Sequence, residues 1–125
     1  IPIYHTNVMM SLGENTAFVC FDIIQEKNIS EMLRSNLKSS GRAVIDITKK
    51  QMNLFLGNTL EVENFDNKKI LLMSDSAHKS LSSEQLTILS ERVSLLSFSI
   101  PTIEKYGGGS VRCMLAEIFL EKEHR

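Results

Sequence analysis

Apolar residues fall into short runs parted by turn residues, and each half of the chain carries one stretch of helical spacing. Val8-Met9-Met10-Ser11-Leu12 has the length of a buried strand, and Gly13-Glu14-Asn15 follows it as a turn. Thr16 to Phe21 is rich in aromatic and β-branched residues, which predicts a second strand returning as a hairpin. From Ile29, apolar residues recur at Met32, Leu33 and Leu37, the period of a helix, and Gly41 stands where a left-handed cap ends one. Ala43 to Ile47 then reads as a third strand, and Lys49 to Phe55 as a short helical connection.

The order repeats in the second half. Asn58 to Val62 predicts a strand, Phe65 to Lys68 a turn, and Ile70 to Met73 another strand. Ser82 with Gln85 forms a capping box ahead of a helix whose apolar face holds Leu86, Leu89 and Val93. Leu95 to Ile100 is a strand that stops at Pro101. A shift of about 52 residues matches Asn7 to Asn58, Phe21-Asp22 to Ser74-Asp75, and the strand at Ala43 to that at Leu95. The unit is strand–strand–helix–strand, a module that stacks with copies of itself. Two copies leave unpaired sheet edges. The expectation is therefore that further modules come from a missing N-terminal part or a partner chain. An opening of Ile-Pro-Ile rather than Met fits a processed chain or a piece of a longer one.

A length of 125 residues, 42% hydrophobic and 23% charged, bounds the chain to one globular domain. A net charge of -1 without blocks of like charge gives no reason to expect a nucleic-acid or membrane partner. No run has the length of a membrane helix, and no signal-peptide pattern opens the chain. Two cysteines and no zinc-like spacing predict a reduced, cytoplasmic protein without metal. No phosphate-binding glycine fingerprint points to a nucleotide or flavin, so no cofactor is expected. The methionines Met9, Met10, Met52 and Met73 read as core filling.

The chemistry concentrates at the two ends. Gly107-Gly108-Gly109-Ser110-Val111-Arg112-Cys113 is a glycine loop leading to a cysteine at the start of an apolar run. It is either a strand-mouth nucleophile or a flexible turn before a core residue. Cys20, inside a buried strand, reads as packing. Of the three histidines, His124 lies in the charged tail and His78 in a surface turn, while His5 directly precedes the first strand. A Cys and a His far apart in sequence are a legitimate nucleophile and base once a fold unites them.

Ile3-Tyr4-His5-Thr6-Asn7-Val8-Met9-Met10, Gln51-Met52 with Phe55-Leu56-Gly57-Asn58, and Thr102-Ile103-Glu104 with Gly107 to Glu117 carry a family resemblance. Together they resemble the C-terminal half of the guanidino-group-modifying enzymes: arginine deiminases, dimethylargininases and amidinotransferases. The nearest likeness is to the bacterial amidinotransferase-like branch associated with citrulline hydrolysis. The resemblance implies an α/β fold, the pentein, an α/β-propeller of five ββαβ modules around a central site. About two modules are present here, over roughly 1–56 and 57–110, with a closing strand at roughly 111–120. A sizeable N-terminal half, with the substrate carboxylates, is then absent.

The resemblance also implies roles: Cys113 as nucleophile, His5 as general acid and base, and Asn7, Gly109, Ser110 and Arg112 as substrate-binding. A thiolate formed beside an imidazolium or a cationic substrate attacks the guanidinium or ureido carbon. His5 protonates the departing amine, and the neutral imidazole then activates water to release the adduct. Arginine deiminases carry Asp where this chain has Asn7. An amide serves a neutral ureido group and does not neutralise a guanidinium, which points toward citrulline; Asn7 as a hairpin turn residue stands as the alternative. Arg112 is either a carboxylate ligand or a solvated cation, and Glu104 and Glu117 read as surface residues. The rival functions are arginine deimination, amidino transfer to an amine, and a non-catalytic pentein piece that serves as a structural or binding module.

Overall fold

In the computed structural model, which describes residues 2–121, the same unit forms twice. The first comprises α1 (Thr6–Met9), β1 (Met10–Leu12), β2 (Thr16–Val19), α2 (Lys27–Ser39), β3 (Ala43–Asp46) and the short α3 (Lys49–Asn53). The second comprises β4 (Leu60–Glu63), β5 (Lys69–Ser74), α4 (Asp75–Ser80), α5 (Ser83–Ser90) and β6 (Ser94–Phe98), followed by α6 (Pro101–Gly107). Each unit makes a three-stranded sheet in which a hairpin is extended by one parallel strand reached through a helix, in the order β1-β2-β3 and β4-β5-β6. No helix among the described residues is long and apolar enough to cross a membrane.

The central strand β2 is buried on both faces, as its Ala-Phe-Val run requires. Ala17 and Val19 face α2 and pack with Leu33 and Leu37; Phe18 points the other way, in the two-residue period of a strand. On that second face the main core joins both units. Phe18, Cys20, Ile45, Ile47 and Leu56 from the first meet Leu71, Met73, Leu89 and Val93 from the second. Full burial of each large side chain there contributes about 1.5–3 kcal/mol, so the two units form one folded body.

Polar contacts fix how the sheets meet. The Glu61 carboxylate accepts the Glu14 N–H (3.1 Å), the Asn15 N–H (3.2 Å) and the Thr16 hydroxyl (2.9 Å), tying β4 to the turn between β1 and β2. The capping boxes of α3 (Thr48 with Gln51) and α5 (Ser82 with Gln85) face each other. Gln51 Nε2 donates to Gln85 Oε1 at 2.7 Å, so each cap residue also serves as a cross-link.

The observed elements depart from the sequence expectation in four places. Thr6–Met9 is a helical turn, and only Met10–Leu12 of the first apolar run is strand. Pro101 starts a helix at its first position instead of merely ending a strand, because its missing N–H needs no partner there. His78 lies in α4, whose N-cap Ser74 accepts the Ala77 N–H. No closing strand forms over 111–120: Val111–Met114 is a 3-10 turn, and 115–121 pairs with neither sheet. A strand exists only through its ladder to a neighbour, and this stretch has none among the described residues. His124 lies outside the described residues.

Candidate active site

Two ends of the chain are brought together over the junction of the units. Tyr4 donates its hydroxyl to the Gly108 carbonyl at 2.8 Å, pinning the segment that carries His5 to the loop that carries Cys113. The Tyr4 and His5 rings lie 4.9 Å apart between centroids. Arg112 Nη1 donates to the Thr59 carbonyl at 3.1 Å and holds the same loop against the entry to β4.

The loop is built for its position. Gly108, in the left-handed region at φ 68°, ends α6. A Cβ on Gly109 would stand 3.0 Å from Cys113 Sγ, so glycine there leaves room for the sulfur. Ser110 is fully buried; its hydroxyl donates to Glu104 at 2.7 Å, and its carbonyl accepts the Cys113 N–H at 3.0 Å. Glu104 also accepts from Ser76 at 3.0 Å, so a buried carboxylate braces the loop from below.

The Ser110 side chain is engaged by Glu104. Two sequence readings are corrected. Glu104 is buried, since two hydroxyls compensate its charge where the surface reading assumed water. Cys113 sits in the 3-10 turn and not at the mouth of a strand, and it is exposed.

Asn58 is the residue that sequence reasoning left in a minor role. It follows Gly57, where a Cβ would meet the Val8 carbonyl oxygen at 2.4 Å, so only glycine allows this segment to lie against α1. Its Nδ2 donates to the Asn7 carbonyl (3.0 Å) and to Cys113 Sγ (3.3 Å). Asn7 Nδ2 lies 4.0 Å from the same sulfur. The two asparagines hold matched positions in the repeat, and that recurrence was the signal available in the sequence.

His5, Asn7, Arg112 and Cys113 line one cavity of about 440 Å³, with Glu117 and the apolar side chains of Leu60 and Leu115. His5, Asn7 and Arg112 also line a neighbouring space of about 610 Å³. Gly109 lines neither. Cys20, by contrast, is fully buried, and burial pushes its thiol up, which makes it a poor nucleophile. Among the described residues no group of three or more His, Cys, Asp and Glu could hold a metal ion. The arrangement offers an exposed sulfur under amide donors, an imidazole facing the same space, and one cation and one carboxylate at its rim.

Comparisons with known proteins agree with this architecture. A family model described as eukaryotic N,N-dimethylarginine dimethylhydrolase matches residues 1–120. No curated protein matches the chain. A similar solved structure is the apo form of ArgZ, an arginine dihydrolase from the ornithine-ammonia cycle in cyanobacteria. It is 15% identical with a TM-score of 0.65, and the match covers 95% of this chain and 18% of that one. At that identity the likeness bears on the fold, and it makes the two units part of a pentein α/β-propeller. Because the family model runs along nearly the whole sequence, the chain belongs to the eukaryotic N,N-dimethylarginine dimethylhydrolase family, within the guanidino-group-modifying superfamily.

Proposed function

We propose that Cys113 is the nucleophile and His5 the general acid and base of a hydrolase acting on a C–N bond of a ureido or guanidino amino acid, citrulline first. The observation that carries this is the shared cavity: side chains from opposite ends of the chain line the same space. The thiolate attacks the ureido carbon to give a tetrahedral intermediate, and the His5 imidazolium gives its proton to the departing amine. Ornithine leaves, and a carbamoyl group remains on sulfur. The neutral imidazole takes a proton from water, which attacks the adduct, expels the thiolate and releases carbamate, the source of carbon dioxide and ammonia.

Asn7 supports a neutral ureido group, since an amide beside the sulfur brings no charge to balance a guanidinium. Arg112 at the cavity rim suits the substrate carboxylate, and further modules of the whole protein would supply the remaining contacts. Both cysteines are free, which suits a reducing compartment such as the cytoplasm.

The family match favours a second reading, with N,N-dimethylarginine as substrate, dimethylamine as leaving group and citrulline as product. Full-length protein supplied with citrulline, N,N-dimethylarginine and arginine in turn separates the two. Ornithine with ammonia from citrulline, abolished in Cys113→Ser, supports the first reading. Dimethylamine release alone moves the assignment to the second, and turnover that survives Cys113→Ser overturns both.

A further inference from the structure

We infer that Asn58 is a positioning residue for Cys113: its side-chain amide holds the sulfur in its attacking orientation. The inference rests on the reading of Cys113 as nucleophile.

Asn58 is 1% exposed, so its amide has no access to bulk water. Its Nδ2 bridges the Asn7 carbonyl and Cys113 Sγ, while its Oδ1 is buried without a partner. That combination fixes which end of the amide faces sulfur. Turning the group over would set its oxygen against the Asn7 carbonyl oxygen, two acceptors in contact, so the nitrogen must lie on that side. The N–H that remains is aimed at Sγ. A donor facing sulfur fixes where the sulfur sits, and it bonds most strongly to the attacking thiolate, because hydrogen bonds to an ionised partner are the stronger ones.

The unpartnered Oδ1 sharpens the argument. A buried acceptor without a donor destabilises the fold, and an apolar residue of the same size would avoid the loss. Packing alone therefore gives no reason for the amide, whose nitrogen serves both the Asn7 carbonyl and the sulfur. Asn7, at the matching place in the first unit, repeats the arrangement: its Nδ2 also points at Cys113, at 4.0 Å, and its Oδ1 is likewise buried and unpartnered. Each unit thus contributes one amide to the sulfur at their junction.

The test is alkylation of full-length protein by iodoacetamide, read by peptide mass spectrometry at both cysteines. Cys20, fully buried, reports whether each variant keeps its fold. Asn58→Leu keeps the size and loses the donor; Asn58→Asp keeps the shape and replaces the donor by a negative acceptor. Loss of a hydrogen bond to a charged partner predicts that Cys113 labelling slows on the order of 10- to 100-fold in the first and further in the second. Cys20 stays silent, and kcat falls by a similar factor with KM little changed. Where Asn58→Leu exposes Cys20, Asn58→Asp decides alone. Labelling of Cys113 within about twofold of the parent in the folded variants overturns the inference. Turnover by Cys113→Ser, measured separately, overturns the nucleophile reading and leaves the labelling comparison standing.

Discussion

Glu104 supports the Cys113 loop with a formal charge carried into the interior, and its removal separates bracing from chemistry. It is 9% exposed and accepts hydroxyls from Ser110 at 2.7 Å and Ser76 at 3.0 Å. Hydrogen bonds to an ionised acceptor contribute about 1.5–3 kcal/mol each, against which the burial of the carboxylate must be set. Two features keep that cost small: Glu104 retains some exposure, and it lies in the first turn of α6, where a negative charge is favoured. In Glu104→Ala the Ser76 hydroxyl, half-buried, can turn to water. The Ser110 hydroxyl, fully buried, cannot, and is stranded at about 1–3 kcal/mol. The expected net loss is about 3 kcal/mol for Glu104→Ala and about 1 kcal/mol for Glu104→Gln, which still offers an oxygen to Ser110. Urea denaturation measures the loss, and alkylation of Cys113 reads the loop. Because the Ser110 carbonyl holds the Cys113 N–H, labelling should change in the alanine variant and recover in the glutamine variant. A Glu104→Ala protein within about 0.5 kcal/mol of the parent would refute the bracing argument.

Two other outcomes follow from contacts away from the sulfur. Glu61→Ala removes the acceptor that ties β4 to the β1–β2 turn through Glu14, Asn15 and Thr16, and should cost about 2–3 kcal/mol in urea melts; Glu61→Gln should cost about half as much. Burial holds the Cys20 thiol above its ordinary value of 9.0, so folded protein keeps the proton at a pH where unfolded chain has lost it. This contribution is complete below pH 9.0 and fades as pH climbs toward the folded value. Stability measured from pH 8 upward should therefore fall more steeply in the parent than in Cys20→Ala, and parallel slopes would count against it.

The two sheets were readable because their signals are local. β-branched runs, the capping box at Ser82, and the glycine at Gly41, found at φ 83°, each act within a few residues. What escaped depends on contact between distant segments. Thr6–Met9 has no helical period of its own; it turns because Gly57 lets the second unit lie against it and Asn58 takes the Asn7 carbonyl. The α6 helix was signalled by Pro101 at its start, Glu104 in its first turn and Gly108 at its end, a pattern hidden by reading the proline as a stop. Cys113 and His5 were legible as residue types in matching motifs. Their common cavity was implied by the family resemblance and not by the spacing, since Tyr4 reaching Gly108 across most of the chain leaves no trace there. Glu104 looked like surface because its compensation comes from two hydroxyls, one of them far away in sequence, and not from a cation.

The central claim is that the sulfur of Cys113 forms and breaks a bond to the substrate carbon while His5 moves the protons. Acid quenching of full-length protein during turnover, followed by mass spectrometry of the Cys113 peptide, reads that bond directly. The account predicts a carbamoyl or amidino adduct on Cys113 alone during turnover, absent from Cys20 and lost in His5→Gln, where the departing amine no longer receives its proton. Sustained turnover with an unmodified Cys113 at every quench time, or an adduct unaffected by loss of His5, would contradict it.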